Sequence, residues 1–78
     1  MKKIEIFGSG CRKCKRLEKE VRTAVNELGI QAEIEKVEDI EEITARGVMM
    51  TPALAIDGEI KSSGKMLSTR EIKEILQS

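Results

Sequence analysis

The chain has no histidine, tryptophan or tyrosine, and among its 78 residues there is one phenylalanine, one proline and two cysteines. Each shortage excludes something. One aromatic side chain, Phe7, cannot build the stacking platforms that hold single-stranded nucleic acid, and no nucleic-acid partner is expected. Without histidine, the two thiolates supply only half of a tetrahedral zinc site, so zinc would require a second copy of the chain. Two cysteines also fall short of the several pairs that staple small secreted domains. No apolar run approaches the roughly 20 residues of a membrane span. Met1-Lys2-Lys3 imitates the basic end of a signal peptide, but Glu5 and Gly8-Ser9-Gly10 interrupt the apolar stretch that would have to follow. The expectation is a soluble, cytoplasmic protein with no membrane partner. In that compartment a C-x-x-C pair is more often catalytic or metal-binding than structural.

What is present points to one small folded domain covering residues 1–78, with no internal repeat or linker. A chain of this size buries only roughly 60% of its unfolded surface, so its core must be efficient. Hydrophobic residues make up 40% of the sequence, which favours a globule over a disordered segment, and the core has to be built from Ile, Val, Leu, Ala and Met. Formal charge is zero but unevenly placed. Residues 1–26 carry eight Lys or Arg against three Glu, and residues 27–46 carry two basic groups against seven acidic ones. Solvated, internally paired faces account for this pattern, and so does an electropositive cysteine end that favours acidic partner surfaces. The charged fraction, 36%, also suits a surface rich in ion pairs.

Alternation in Ile4 to Phe7 predicts a first strand, and Gly8-Ser9-Gly10 a turn. From Cys11 onward Cys14, Leu17, Val21, Ala24, Val25 and Leu28 recur by threes and fours, the stripe of an amphipathic helix that Gly29 ends. Ala32, Ile34 and Val37 suggest an outer strand with one wet face, parallel to the first through a right-handed crossover. Asp39 and Glu42 have the spacing of a variant capping box opening a short helix, with Ile40 and Ile43 facing inward and Gly47 as its stop. Ala53-Leu54-Ala55-Ile56, the turn Asp57-Gly58 and Glu59-Ile60-Lys61-Ser62 read as an antiparallel hairpin. Ser68-Thr69-Arg70-Glu71 is a second capping box, with Leu67 and Ile72 at hydrophobic-staple spacing, and Ile72, Ile75 and Leu76 dock the last helix. The fold class is therefore α/β in the order βαβ-αββα, a four-stranded mixed sheet with three helices.

Three roles fit Cys11-Arg12-Lys13-Cys14. In a redox role Cys11 lies at the helix cap, where unpaired backbone N–H groups, the positive end of the dipole and the charges of Arg12 and Lys13 stabilise its thiolate. Cys14, one turn on and shielded on the apolar stripe, can attack a mixed disulfide at the first sulfur. In a metal role the soft pair holds Cu(I), as in a small metallochaperone. In a third role the pair is inert core, for which the glycines and Lys13 make a poor environment, or its disulfide only reports redox state in an adaptor domain.

Pro52 directly precedes the apolar third strand, a position where proline fits an edge or irregular entry; from sequence alone its peptide bond is expected to be trans. The C-x-x-C at the start of the first helix, the Thr51-Pro52 pair about 40 residues later opening a strand, and a glycine after the final hairpin together resemble the thioredoxin superfamily. The likeness is to its small, glutaredoxin-sized redox-active disulfide proteins, and it spans essentially the whole chain. It implies a thioredoxin-like fold and a thiol-disulfide oxidoreductase whose catalytic residues are Cys11 and Cys14. No cofactor is implied beyond their redox-active disulfide. It also implies a cis Thr51-Pro52 bond facing that disulfide, and a Thr51 backbone that holds an extended substrate segment by strand addition. Gly64 would lie at the active-site edge, allowing close approach, or serve as a simple turn. Met49 and Met50 either line the same groove or pack as ordinary loop residues. The implied partners are protein disulfides and an upstream reductase that the sequence does not identify, and the expected state is a monomer. Arg12-Lys13 stands where thioredoxins have Gly-Pro and glutaredoxins Pro-Tyr. No Trp precedes Cys11, and Ser62-Ser63-Gly64-Lys65 replaces the glutathione-binding acidic pair of many glutaredoxins.

Overall fold

In the computed structural model, which describes residues 2–8 and 12–77, the elements follow in the order β1 (Lys2–Phe7), α1 (Arg12–Leu28), β2 (Ala32–Val37), α2 (Ile40–Ala45), β3 (Ala53–Ile56), β4 (Glu59–Ser63) and α3 (Thr69–Gln77). They form one four-stranded sheet in the order β2-β1-β3-β4. β1 runs parallel to β2 and antiparallel to β3, and β3 runs antiparallel to β4. The alternation of side chains along a strand decides what each face does. Ile4 and Ile6 of β1, with Leu54 and Ile56 of β3, face α1 and α3 and bury Leu17, Val21, Ala24, Leu67, Ile72 and Leu76 against them. On the opposite face Phe7, Val37, Ala53 and Ala55 form a smaller cluster with Ile43 of α2 and Val48. The single aromatic ring, 0% exposed, thus fills the layer that the shorter helix has to cover.

Local chemistry explains where the elements stop and start. Asp57 (φ 52) and Gly58 (φ 85) both occupy the left-handed region, the backbone that a two-residue hairpin with the twist of its strands requires. Asp57 also ties the hairpin to β1: its N–H donates to the Lys3 carbonyl at 2.8 Å and its Oδ1 accepts from the Lys3 N–H at 2.9 Å. At α3 the capping box is reciprocal, the Glu71 N–H donating to Ser68 Oγ and the Ser68 N–H to Glu71 Oε1. The Ser68 backbone N–H foremost, and after it the Ser68 side chain, hold the Glu71 carboxyl below the ordinary range. Leu67 and Ile72, at the two staple positions, are both buried. Thr69–Glu20 and Lys73–Glu27 contacts then join α3 to α1.

Two expectations at α2 are corrected. Ile40 does not face inward: it is 69% exposed, whereas Ile43 is buried. The helix is only six residues long, and its single inward position is taken by Ile43 against Phe7 and Val37. The cap is also simpler than a box, because Asp39 Oδ1 accepts from the Glu41 N–H at 2.9 Å, an ordinary N-cap bond. β4 runs one residue further than expected, to Ser63, and Lys61 bulges from it as the register slips between Leu54/Ser62 and Ala55/Ile60. Among the described residues no helix is long and apolar enough to cross a membrane.

Candidate functional site

The first turn of α1 carries Arg12 and Lys13, both exposed, and no acidic residue. Basic side chains there oppose the helix dipole, so this arrangement costs helix stability and makes the end strongly electropositive. Cys11, proposed from sequence as the nucleophile, lies outside the described residues, as do Ser9 and Gly10. Cys14 is 6% exposed, on the same buried stripe as Leu17, Val21 and Ala24.

Gly8 shows how closely the backbone approaches that sulfur. Its N–H donates to the Val37 carbonyl at 3.0 Å, extending the parallel ladder one residue past β1. A Cβ placed on Gly8 would collide with Cys14 Sγ, would lie 3.1 Å from Cys14 Cβ and would reach 4.0 Å from Thr51 Cβ. Glycine is therefore required here for space: Cys14 rests on the Gly8 backbone, and Thr51 arrives at the same spot. Sequence reasoning assigned Gly8 only to a turn. The available signal was its position at the end of a buried strand directly before the C-x-x-C segment.

The loop that delivers Thr51 is held at several points. The Thr51–Pro52 bond is cis; Thr51 is exposed and Pro52 buried. The Pro52 carbonyl accepts from the Gly64 N–H at 2.9 Å, and the Met50 carbonyl accepts from Ser63 Oγ at 3.0 Å. Gly64 has φ +72, and a Cβ there would sit 2.8 Å from Met50 Cβ and 3.3 Å from its Sδ, so both the backbone angle and the Met50 side chain demand glycine. Met50, Pro52 and Gly64 thus form one contiguous rim, joined to Cys14 through Thr51 and Gly8. Met49 diverges from Met50. It lines a groove of about 210 Å³ with Ile40, Ile43, Thr44, Val48 and Thr51.

Behind Cys14 a small cavity of about 70 Å³ is bounded by Ile6, Gly8, Cys14, Lys15, Glu18, Lys36 and Glu38. Glu18 accepts from Arg22 Nη2 at 2.9 Å and lies 3.6 Å from Lys36 Nζ; the Arg22 bond above all holds its carboxyl below the usual range. The sheltered sulfur therefore borders a polar pocket as well as the apolar stripe.

A second charged feature went unread in the sequence. Glu5, 6% exposed on the central strand, accepts two bonds of 2.8 Å from the Arg46 guanidinium, which lies 5.2 Å from the centroid of the Phe7 ring. This fork-to-fork geometry keeps the Glu5 carboxyl below its ordinary value, through the Arg46 hydrogen bonds first, and raises Arg46 further. The signal was a lone acid between two buried isoleucines; its partner, 41 positions away, had no local signature. Among the described residues no group of three or more His, Cys, Asp or Glu could hold a metal ion.

Comparison with known proteins agrees with this geometry. Residues 2–77 match the family described as "Thioredoxin domain". A protein named thioredoxin from Methanothermobacter thermautotrophicus is 50% identical over 76 residues, 97% of this chain and 99% of that protein. Another thioredoxin, from Methanocaldococcus jannaschii, is 52% identical over 75 residues, 96% of this chain and 86% of that one. A solved structure described as a malarial protein superimposes with a TM-score of 0.75 at 12% identity, covering 99% of this chain and 94% of that chain, a likeness of fold. With the sheet order, the sheltered Cys14 and the cis Thr51–Pro52 loop already in place, these matches establish that the chain belongs to the thioredoxin family of thiol-disulfide oxidoreductases.

Proposed function

We propose that the protein reduces disulfides of other proteins through a dithiol-disulfide cycle of Cys11 and Cys14. The Cys11 thiolate attacks one sulfur of the substrate disulfide, forming a mixed disulfide and releasing the other substrate sulfur as a thiolate. Cys14, losing its proton, then attacks Cys11 Sγ; the mixed disulfide breaks, the second substrate thiol leaves, and Cys11–Cys14 closes. Two electrons pass to the substrate, and an upstream reductase returns them to the protein. Arg12 and Lys13 tune the first sulfur by favouring its thiolate.

The observation that carries this reading is the position of Cys14, 6% exposed and packed on Gly8 beside Thr51. A sulfur so placed suits resolution rather than first attack. Thr51, exposed before a buried Pro52, offers its backbone to an extended substrate segment, with Met50 and Gly64 completing the rim. A Cu(I) carrier using the same cysteines is disfavoured by element order, since such carriers run βαββαβ and here a helix, α2, follows β2. An adaptor whose disulfide only reports redox state would show slow exchange without turnover.

Reduction of a protein disulfide by the dithiol form tests the proposal. Cys11→Ser should abolish turnover, and Cys14→Ser should accumulate mixed disulfides through Cys11. Undiminished turnover in Cys11→Ser would overturn the assignment.

A further inference from the structure

The large apolar side chains exposed among the described residues are Ile40, Met49, Met50 and Ile60. Three of these four gather around Thr51: Met50 directly precedes it, and Met49 and Ile40 line the groove that Thr51 closes. Met49 is 94% exposed and Met50 63%. Met66, by contrast, is partly buried against the main core. We propose that Met49 and Met50 form a hydroperoxide-reactive modification site, and that their conversion to sulfoxides weakens protein-substrate binding while leaving the thiol chemistry intact. The effect on substrates rests on the oxidoreductase reading above; the site itself does not.

Methionine is the one soft, oxidisable side chain in this patch, and its reactivity depends on access to the sulfur. A thioether lone pair attacks one oxygen of the hydroperoxide, the O–O bond breaks, and an S–O bond forms. The other peroxide oxygen leaves as an alcohol or water, so sulfur loses the two electrons that the peroxide gains. The product is a polar, chiral group where the surface had been apolar and adaptable. At Met50 the consequence is sharpened by Gly64. Sδ lies 3.3 Å from the position that a Cβ on that glycine would take, so the new oxygen is added to a side chain packed along the loop that holds Thr51. Met49, 94% exposed, adds its oxygen at the border of the groove that Ile40 and Thr51 also line. Neither sulfur belongs to the exchange chemistry, so a small disulfide that needs no docking surface should be reduced as before.

The test begins with the disulfide form of the full chain, which protects the cysteines. It is treated with hydrogen peroxide, reduced with dithiothreitol, and assayed on insulin and on 2-hydroxyethyl disulfide. Trypsin places Met49 and Met50 in residues 47–61 and Met66 in residues 66–70, so a peptide map reports each site. Oxygen should enter 47–61 well before 66–70. The kcat/KM for insulin should fall about fivefold, equivalent to about 1 kcal/mol, with the small disulfide nearly unaffected. The rate of Met49→Leu/Met50→Leu on insulin, whatever its value, should not respond to peroxide. Equal oxidation of the two peptides, equal loss on both disulfides, or persistence of the loss in the double variant would overturn the proposal. Untreated protein that reduces neither disulfide would instead defeat the parent reading and the substrate effect with it, while the map still judges the site.

Discussion

Replacing Gly8 by alanine adds one methyl group at the point where the backbone meets the sheltered sulfur. The added carbon would collide with Cys14 Sγ and sit 3.1 Å from Cys14 Cβ, and neither neighbour can yield freely. Cys14 is fixed in α1 by the packing of Leu17 and Val21, both 0% exposed, and Gly8 is fixed by its bond to the Val37 carbonyl. Among the described residues the positive-φ glycines are Gly29, Gly47, Gly58 and Gly64, so the penalty at Gly8 is one of space. Overpacking of this kind costs about 1–3 kcal/mol. In a domain of this size each kcal/mol moves the melting temperature by about 4–8 °C, so a fall on the order of 10 °C is expected. Because the clash is with sulfur, the loss should be accompanied by slower closure of the Cys11–Cys14 disulfide from a mixed disulfide, followed by quenched single-turnover analysis. Thermal unfolding and closure rates both unchanged in Gly8→Ala would refute the close approach.

Leu17→Ala, at the centre of the α1/α3 face, should destabilise by about 2–5 kcal/mol, read from urea unfolding with an unchanged slope. Ser68→Ala removes the side-chain cap of α3 and should cost about 1 kcal/mol in urea unfolding; the backbone N–H at position 68, the larger cause of the lowered Glu71 pKa, is kept, so the acid limb of stability should be largely retained. Glu5 titrates in the folded chain below its unfolded value. Its contribution is therefore complete above the unfolded carboxyl pKa, about 4.3, and fades as the pH falls through the lower folded one. Arg46→Met leaves that carboxylate buried without its partner, so the gap in melting temperature between variant and parent should be wide at neutral pH and narrow in acid. A gap independent of pH would contradict the ion pair.

Elements whose cause is local were legible in the sequence. The period of Cys14, Leu17, Val21 and Ala24, the turn at Asp57-Gly58 and the Ser68/Glu71 box each act within a few residues, and each stands where it was expected. Features that depend on distant neighbours were not. Ile40 and Ile43 satisfy a helical stripe equally well, and only the meeting of α2 with Phe7 and Val37 decides which one is buried. Glu5 and Arg46 become partners only after β1 and the end of α2 are brought together by the sheet. Gly8 reads as a turn until the depth of Cys14 beneath it is known. At the site, residue types and spacing suggested the thiol pair, and the family resemblance the Thr51-Pro52 loop, but neither showed that Met49 and Met50 diverge into a groove and a rim.

The alkylation rate of each cysteine as a function of pH tests the account most directly, with Cys11 followed in Cys14→Ser and Cys14 in Cys11→Ser. Cys11 should titrate well below the value of a free thiol, about 8.5, and react much faster at neutral pH than Cys14. Titration of Cys11 at or above the free-thiol value, or faster labelling of Cys14, would contradict the division of labour between the two sulfurs.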